Sequence, residues 1–590
     1  YLRPFYFMLN SNVFKLLPNV FIALLAMLFT GAMVKAETAN PDVITDQVIT
    51  SAPVIVMDDD RNLLSNVLDA VKGLSGSTKN ANDASLTVIS SDKLTLKEAV
   101  QMAVLNNPEI KVAFFDYLAS VRDKYIAFAG YLPTLDLSIA RTNEVRDDPL
   151  AGPGTGAVGL SAANPIAANY ATTVNSLTLN QMVFDGFATK FLVEQYDATT
   201  RSQLFNLEAI TQNVALEAIK SFIELSRTRE LTDLAEQNFI NHSVIYEQSV
   251  LKADAGTGKR SDVEQVKARL SLADYNMTLE GSLIHDAEAK FQHYVGVLPQ
   301  EKLDTQITVD KDIPDNVTDA LRKAQINNPT LQATMIDIES QKAALRTTPS
   351  TFIPRIDLAF TKNRDKNLNG VFDGGVGADS GARRDGRYNK ETAGVIFSWN
   401  LFNGGRSYNT LMKNVELLSG AEEARDNACF GLREEFVVFY NNIKKLKEQA
   451  NYLDVRQIAI EKARDAYRKQ YEIGQRSLID LLNSENELYE SKRLYTQVIH
   501  DIAINNAEAQ QRLGNILAAV GVQRYQAAKY PLPEKQNDLN YDVCGTIAPP
   551  SYEPNRKLLN ERIKEVLGTT KLSTEVSEES LDSDFLELTN

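Results

Sequence analysis

From Arg406 to Tyr471 the chain has no proline and only two glycines, Gly420 and Gly431, and its apolar residues return at steps of three and four. Phe436, Phe439, Ile443, Leu446 and Ala450 are followed by Leu453 and Ile460. The pattern predicts one amphipathic helix about 100 Å long, well beyond the usual globular length. A second run of this kind, Ala188 to Lys252, ends in a glycine turn, Ala255-Gly256-Thr257-Gly258. The first ends likewise, in Gly474-Gln475-Arg476-Ser477. The chain is built twice around one element.

The rest of the sequence repeats with it. Asn106-Asn107-Pro108 recurs as Asn327-Asn328-Pro329, and Tyr131-Leu132-Pro133 as Phe352-Ile353-Pro354, both 221 residues on. Phe184-Asp185-Gly186 recurs as Phe402-Asn403-Gly404, and Gly258-Lys259-Arg260-Ser261 matches Gly474-Gln475-Arg476-Ser477. Four anchors in order mark a tandem duplication. Repeat 1 is expected over 94–312 and repeat 2 over 313–517. Each reads helix, strand, loop, strand, very long helix, turn, helix. Thr95 with Glu98 is an N-terminal capping box, and Pro108 suits the first position of the next helix. Strands are expected at 133–142, 174–184, 354–363 and 392–402, where apolar residues such as Leu135, Leu137 and Ile139 alternate with Asp136 and Ser138. Long helices are expected at 188–252 and 406–471, and shorter ones at 261–295 and 477–515. In each repeat the shorter helices, laid end to end, nearly match the long one.

The termini lie outside this scheme. Residues 1–36 read as a secretory signal peptide, with an apolar core from Val20 to Phe29 and a small-residue site at Val34-Lys35-Ala36; Met8 is the expected start. A retained inner-membrane anchor is the alternative. Residues 37–93 form a polar extension, and 518–590 a proline-containing tail that ends acidic. Net charge is −15 with no basic block, which argues against nucleic acid as a partner. Cys429 on the long helix and Cys544 in the tail are far apart in sequence, and neither a disulfide framework nor a metal site is expected of them.

The predicted strands have the length that crosses a bilayer at a tilt, about 9–11 residues. Four strands cannot close a barrel, and open edges do not survive in lipid, so other copies of the chain must complete them. A soluble sandwich wall is the competing reading, and two isolated hairpins with long polar loops serve it poorly. The fold class is therefore an α+β membrane protein: a tandem-repeat protomer with four transmembrane β-strands and long coiled-coil helices.

The duplicated Asn-Asn-Pro helix, the hairpins ending in Val183-Phe184-Asp185-Gly186 and Leu401-Phe402-Asn403-Gly404, and the Gly-x-x-Ser turns resemble the TolC family of outer-membrane channels, over about Leu94 to Leu517. The resemblance implies a homotrimer in which a twelve-stranded barrel crosses the outer membrane and the helices form a periplasmic α-barrel. It implies a periplasmic adaptor and an inner-membrane ABC or proton-driven transporter as partners, and no cofactor. The long N-terminal extension is closest to channels of type I secretion; multidrug efflux is the alternative. Carried over by motif, Tyr471 and Arg476 match the bonding pair of a periplasmic gate latch, with Ser261 and Asp262 as acceptors. Asp480 and Asn483 match the pore constriction, and Asn483 halves the charge expected there. The turns at Gly258, Gly474 and Ser477 match the adaptor-contacting end.

Simpler roles compete at several of these positions. Ser261 with Glu264 and Ser477 with Asp480 have capping-box spacing. Asp365, Asn367, Asn369 and Asp373 have the spacing of a calcium loop, but Val376 stands where the bidentate glutamate belongs, so an extracellular loop without metal is expected. His242, His285, His293 and His500 form no catalytic or metal pattern and read as ordinary helix residues. Trp399, Tyr131, Phe184, Phe352 and Phe402 suit either interfacial girdles or core. A periplasmic adaptor would show one hairpin beside a β-domain, and a secreted enzyme would need a constellation that is absent from the sequence.

Overall fold

The computed structural model describes residues 93–146, 168–304, 309, 313–371, 384–525, 544–549 and 553–569. The signal segment, the extension up to residue 92, Asp373, Val376 and the acidic end of the tail lie outside the described residues. Helices α1 (Leu96–Asn106) and α2 (Pro108–Phe128) lead into strands β1 (Thr134–Arg146) and β2 (Ala168–Phe184), then α3 (Ala188–Asp254) and α4 (Arg260–Val295). The second half runs α5 (Val317–Asn327), α6 (Pro329–Thr347), β3 (Arg355–Val371), β4 (Arg384–Ser398), α7 (Arg406–Glu472) and α8 (Leu478–Arg512). A short α9 (Ile516–Val520) and a tail helix α10 (Arg556–Thr569) follow.

The two halves agree in detail. Helices α3 and α7 are each 67 residues long, α4 and α8 are 36 and 35, and α1 and α5 are 11 each. Thr95 and Glu98 make the reciprocal capping box, and Asn107 and Asn328 cap α2 and α6 just before their first-turn prolines. Left-handed backbone recurs at matched positions. Gly186 pairs with Gly404, Phe187 with Gly405, Gly256 with Gly474 and Gly296 with Gly514. The first and third of these mark where the chain enters and leaves each long helix. Phe187 holds by side-chain chemistry what Gly405 adopts freely: Asp185 accepts from the Thr189 backbone N–H at 2.8 Å and its hydroxyl at 2.6 Å. At the matching place Asn403 accepts from the Ser407 backbone N–H at 3.3 Å and donates its own amide N–H to the Ser407 hydroxyl at 2.7 Å.

This geometry corrects the turn alignment read from the sequence. The glycine equivalent to Gly474 is Gly256, not Gly258, because the last turn of each long helix needs a left-handed residue and Gly256 supplies it. Lys259 is then the N-cap of α4 where Ser477 caps α8, and Lys259 makes no side-chain capping bond. Ser261 and Glu264 accordingly form no capping box; Ser261 lies inside the helix and its hydroxyl reaches Asp262 at 3.4 Å.

All four strands form one antiparallel sheet in the order β1-β2-β3-β4, and β2 pairs with β3 to join the two repeats. The strands are longer than their apolar pattern, at 13, 17, 17 and 15 residues, because ladder pairing continues into polar residues such as Arg141 to Arg146. Strand β4 stops at Ser398, short of the expected residue 402. The stretch read as a possible calcium loop is strand up to Val371: Asp365 pairs with Val174 on one side and Tyr388 on the other. A flat ladder does not wrap an ion as a calcium loop must.

Away from the sheet, α3 is the central post. Between Ala198 and Ser226 it is buried on most sides against α1, α2, α4, α6 and α8, with Ile219, Phe222, Ile223 and Leu225 fully enclosed. Beyond Thr228 only Leu231, Ala235, Asn238, His242, Ile245 and Ser249 of this helix are buried, the three-four step of a coiled coil. Helix α4 buries Val266, Ala273, Glu280 and Ala287, and α7 buries Cys429, Phe436, Ile443 and Ala450, both at seven-residue steps.

The two cysteines are bonded. Cys544 meets Cys429 across a 115-residue separation with Cα atoms 5.5 Å apart, which overturns the expectation that they are independent. Sequence distance hid the pairing because the tail returns along α7. The Gln325 side chain donates to the carbonyls of Cys544 (3.3 Å) and Gly545 (3.1 Å), Glu553 pairs with Lys444 at 3.0 Å, and Arg556 reaches the Tyr452 hydroxyl. Such a crosslink restricts the unfolded chain by about 3–5 kcal/mol in the loop-entropy picture. Cys544→Ser should therefore lower the thermal unfolding midpoint and open residues 544–569 to protease, with helix content unchanged by circular dichroism. Equal protease resistance in parent and variant would show that the bond does not fasten the tail.

Candidate functional site

The sheet has two unlike faces. Leu135, Leu179, Phe360 and Ala393 stand in one register row, and Leu358 with Val395 and Ile356 with Phe397 share their side. The opposite side carries Asp136, Thr178, Thr361 and Thr392, then Ser138, Ser176 and Asn363. Leu135, Leu137, Ile139, Val395 and Phe397 are exposed, so the protomer itself does not cover the apolar face. The apolar band is oblique. On β1 it reaches Ile139, whereas on β3 and β4 it gives way one row lower on the ladder to the ion pair Lys362–Glu391 (2.7 Å). A band slanted across the ladder is what strands inclined to a bilayer produce. At the strand base Trp399 donates its indole N–H to the Phe352 carbonyl at 3.1 Å and stays exposed, as an interfacial aromatic does. Strands β1 and β4 have no outer partner among the described residues.

At the other end the α3–α4 and α7–α8 hairpins meet. Ile245 and Val266 pack on Leu478, Leu481 and Leu482, with Tyr246 and Tyr471 at the margin. Tyr471 is clasped across the two repeats by Lys252, whose ammonium stands 4.4 Å from the ring centre. Arg476 bonds within its own hairpin, to the Gln470 amide oxygen (3.2 Å) and Asp480 (3.6 Å), and stacks on Tyr467. The four residues carried over as a latch are thus gathered at the tips, but within one protomer Arg476 is held by its own hairpin and Ser261 reaches Asp262. Ser477 caps α8 by receiving the Asp480 N–H and donating to its carboxylate at 2.8 Å. Asn483, expected at a constriction, accepts from Arg269 of α4 at 3.3 Å. Gly474 is left-handed and open to solvent; Gly258 instead abuts the Lys252 and Ala253 backbone.

Just above the apolar cluster, polar residues occupy coiled-coil core positions. Glu485 is 2% exposed and accepts from Arg468 (2.6 Å) and Asn241 (3.4 Å), with Arg464 at 3.6 Å. His242, 1% exposed, has an unpartnered Nδ1. Farther along the same seam lie Glu280, whose burial raises its carboxyl pKa against the pull of Arg493 and Arg227, and His500, which bonds the Thr496 carbonyl at 2.8 Å. Among the described residues no group of three His, Cys, Asp or Glu side chains could hold a metal.

Residues 320–515 match the family model described as outer membrane efflux protein. The chain is 24% identical over 365 residues to outer membrane efflux protein BepC of Brucella suis, covering 62% of this chain and 77% of that protein. It is 22% identical over 431 residues to outer membrane protein TolC of Escherichia coli, covering 71% and 82%. Its fold superposes on the Campylobacter jejuni CmeC outer membrane channel with a TM-score of 0.60 at 14% identity, over 74% of this chain and 87% of that one. The outer-membrane channel OprN gives 0.59 at 16%, over 71% and 90%. In sequence and in fold the chain resembles the TolC family of outer-membrane channels. The proteins it matches are outer-membrane channels and efflux proteins of Gram-negative cells, and members of that family are channels rather than enzymes.

The buried residues of the seam leave little trace in the sequence. Glu280 and Glu485 carry no motif; only the heptad phase of α4 and α8, set by neighbours such as Ala273 and Leu488, marks them as core, and Asn241 stands half-buried beside them. His242 was read as an ordinary helix residue, and its environment is not ordinary. Burial, aided by the nearby Arg269, lowers its pKa from 6.5 to about 4. The unfolded chain takes up this proton below about pH 6.5 and the folded chain only near 4, so stability is lost as the pH falls through that window, by up to roughly 3 kcal/mol. Denaturant unfolding at pH 7 and pH 4.5 should show a loss in the parent that His242→Leu reduces. An identical loss in both would assign the acid sensitivity elsewhere.

Proposed function

We propose that three copies of this chain close into one outer-membrane exit duct, four strands from each making a barrel, with the helical hairpins forming a periplasmic conduit that opens at its tips. The open-edged sheet, apolar on one side and polar on the other, carries this reading. Edges that are free in one protomer must be paired in lipid, and a polar inner face suits a water-filled passage. The duct is passive and performs no catalysis. It receives cargo from an inner-membrane transporter, ABC or proton-driven, through a periplasmic adaptor that docks near the turns at Gly258, Gly474 and Ser477. Detergent-extracted protein should have the mass of a trimer by light scattering; a folded, stable monomer would contradict the architecture.

For cargo, type I protein secretion is the favoured reading, on the long N-terminal extension. Small-molecule efflux is the second reading, favoured by the names of the family model and of BepC. Deleting the gene should remove one or a few large proteins from the culture medium. Heightened sensitivity to dyes and detergents, with the secreted proteins unchanged, would favour efflux instead.

In the closed trimer the tips are held by Tyr471 and Arg476 of the α7–α8 hairpin against Ser261 and Asp262, with Asp480 at the constriction. Each such bond is partly wet and contributes about 1 kcal/mol, and threefold symmetry adds the copies together. Tyr471→Phe with Arg476→Ser should raise single-channel conductance in planar bilayers without changing trimer mass. Asp262→Ala alone should raise it less. Parental conductance in the double variant would remove these residues from the gate.

A further inference from the structure

We propose that Glu485 holds the seam between the two hairpins closed, by balancing Arg464 and Arg468 of α7 where α7 and α8 meet α3. The inference rests on reading the tips as a gate and names a determinant of closure well inside them.

Glu485 occupies a core position of α8, one heptad after Leu478. Charged residues are rare at such positions, and a buried carboxylate is tolerated only when it is paired and hydrogen-bonded. Arg468 and Arg464, both on α7, supply this from within the same hairpin. Arg464 is itself only 14% exposed and also touches Asp465 at 3.2 Å. Asn241 of α3 adds the bond that crosses the seam. Two residues before Glu485, Asn483 takes Arg269 of α4, which stands close enough to His242 to depress its basicity.

The division of these groups is the basis of the proposal. When the α7–α8 hairpin swings from α3–α4, Glu485 leaves with both of its arginines still bonded, and of the bonds in this layer only those of Asn241 and Arg269 break. The moving hairpin therefore keeps a satisfied interior, and opening costs two amide contacts rather than a buried ion pair. Removing the carboxylate has a different effect. Arg464, only 14% exposed, would be left in the closed seam without the Glu485 carboxylate, and a poorly paired charge there is hydrated only when the seam opens. The layer is closed by one carboxylate and opened by its loss. The apolar cluster below it, from Ile245 to Leu482, keeps the tips in contact but has no such charge dependence.

The test is single-channel conductance in planar bilayers at neutral pH, with trimer mass and helix content measured on the same preparations. Glu485→Gln should raise conductance several-fold with mass unchanged, Glu485→Asp should stay near the parent, and Glu485→Gln with Arg468→Gln should return toward it because charge is again matched. Asn241→Leu, which spares every charge, should give a smaller rise and serves if Glu485→Gln does not fold. Three results would overturn the proposal: parental conductance in Glu485→Gln, failure of Arg468→Gln to restore closure, or, if Glu485→Gln does not fold, parental conductance in Asn241→Leu. If the Tyr471/Arg476 double variant opens while Glu485→Gln does not, the gate reading stands and this assignment falls. If neither the parent nor any variant forms channels, the duct reading fails and takes the assignment with it.

Discussion

A backbone N–H or C=O that faces hydrocarbon without a partner costs several kcal/mol, and a four-stranded sheet has two edges lined with such groups. Strands β1 and β4 are those edges. The sheet cannot curl on itself, because four strands are too few to surround even one side chain, so the chain's own geometry demands neighbours. The slanted apolar band, the polar reverse face and Trp399 at the strand base all fit the proposed duct, in which the strands would sit obliquely in a bilayer and line water on one side. The edge requirement makes each protomer a part of something larger.

The helices answer a different constraint, reach. A 67-residue helix has far more length than a globular core can cover. It is enclosed near the sheet, where α1, α2, α6 and α8 surround α3, and beyond Thr228 it narrows to a coiled-coil seam. A seam of that length made only of leucine could slide, since every register would be nearly as good. Glu280 and Glu485 interrupt it with carboxylates that find arginines in one alignment, Arg493 at 3.8 Å and Arg468 at 2.6 Å, which trades stability for register. Duplication then gives two hairpins of equal length but unequal chemistry: Ser477 caps α8 where Lys259 leaves α4 uncapped, and Tyr471 borrows Lys252 from the other repeat. In the proposed gate, inequality of this kind would let one hairpin move against the other.

Much of this was legible in the sequence, for identifiable reasons. Helix length showed in the absence of proline between Arg406 and Tyr471, and the duplication in recurrent Asn-Asn-Pro and Phe-x-Gly punctuation, since both depend on local chemistry. The strand positions showed in two-residue alternation, though not their full extent, because ladder pairing through Arg141 to Arg146 leaves no apolar trace. The turn alignment slipped by two residues because Gly-x-Arg-Ser was matched as letters, whereas the left-handed positions are Gly256 and Gly474. The Cys429–Cys544 bond and the Glu485 layer were invisible for a common reason. Each joins residues from distant parts of the chain, and neither leaves a spacing in either part. The tail's course along α7, through Gln325, Lys444 and Tyr452, is equally silent in composition.

The central claim is that the free edge of β1 in one copy pairs with β4 of the next. Cysteines placed on those edges, Ser138→Cys with Thr392→Cys in the same chain and the native pair left oxidised, test it directly in outer membranes. Mild oxidation or a short bismaleimide should give a ladder of dimer and trimer bands that ends at three, with little intrachain product. Bands confined to the monomer, or a ladder that runs past the trimer, would contradict the closed three-copy barrel.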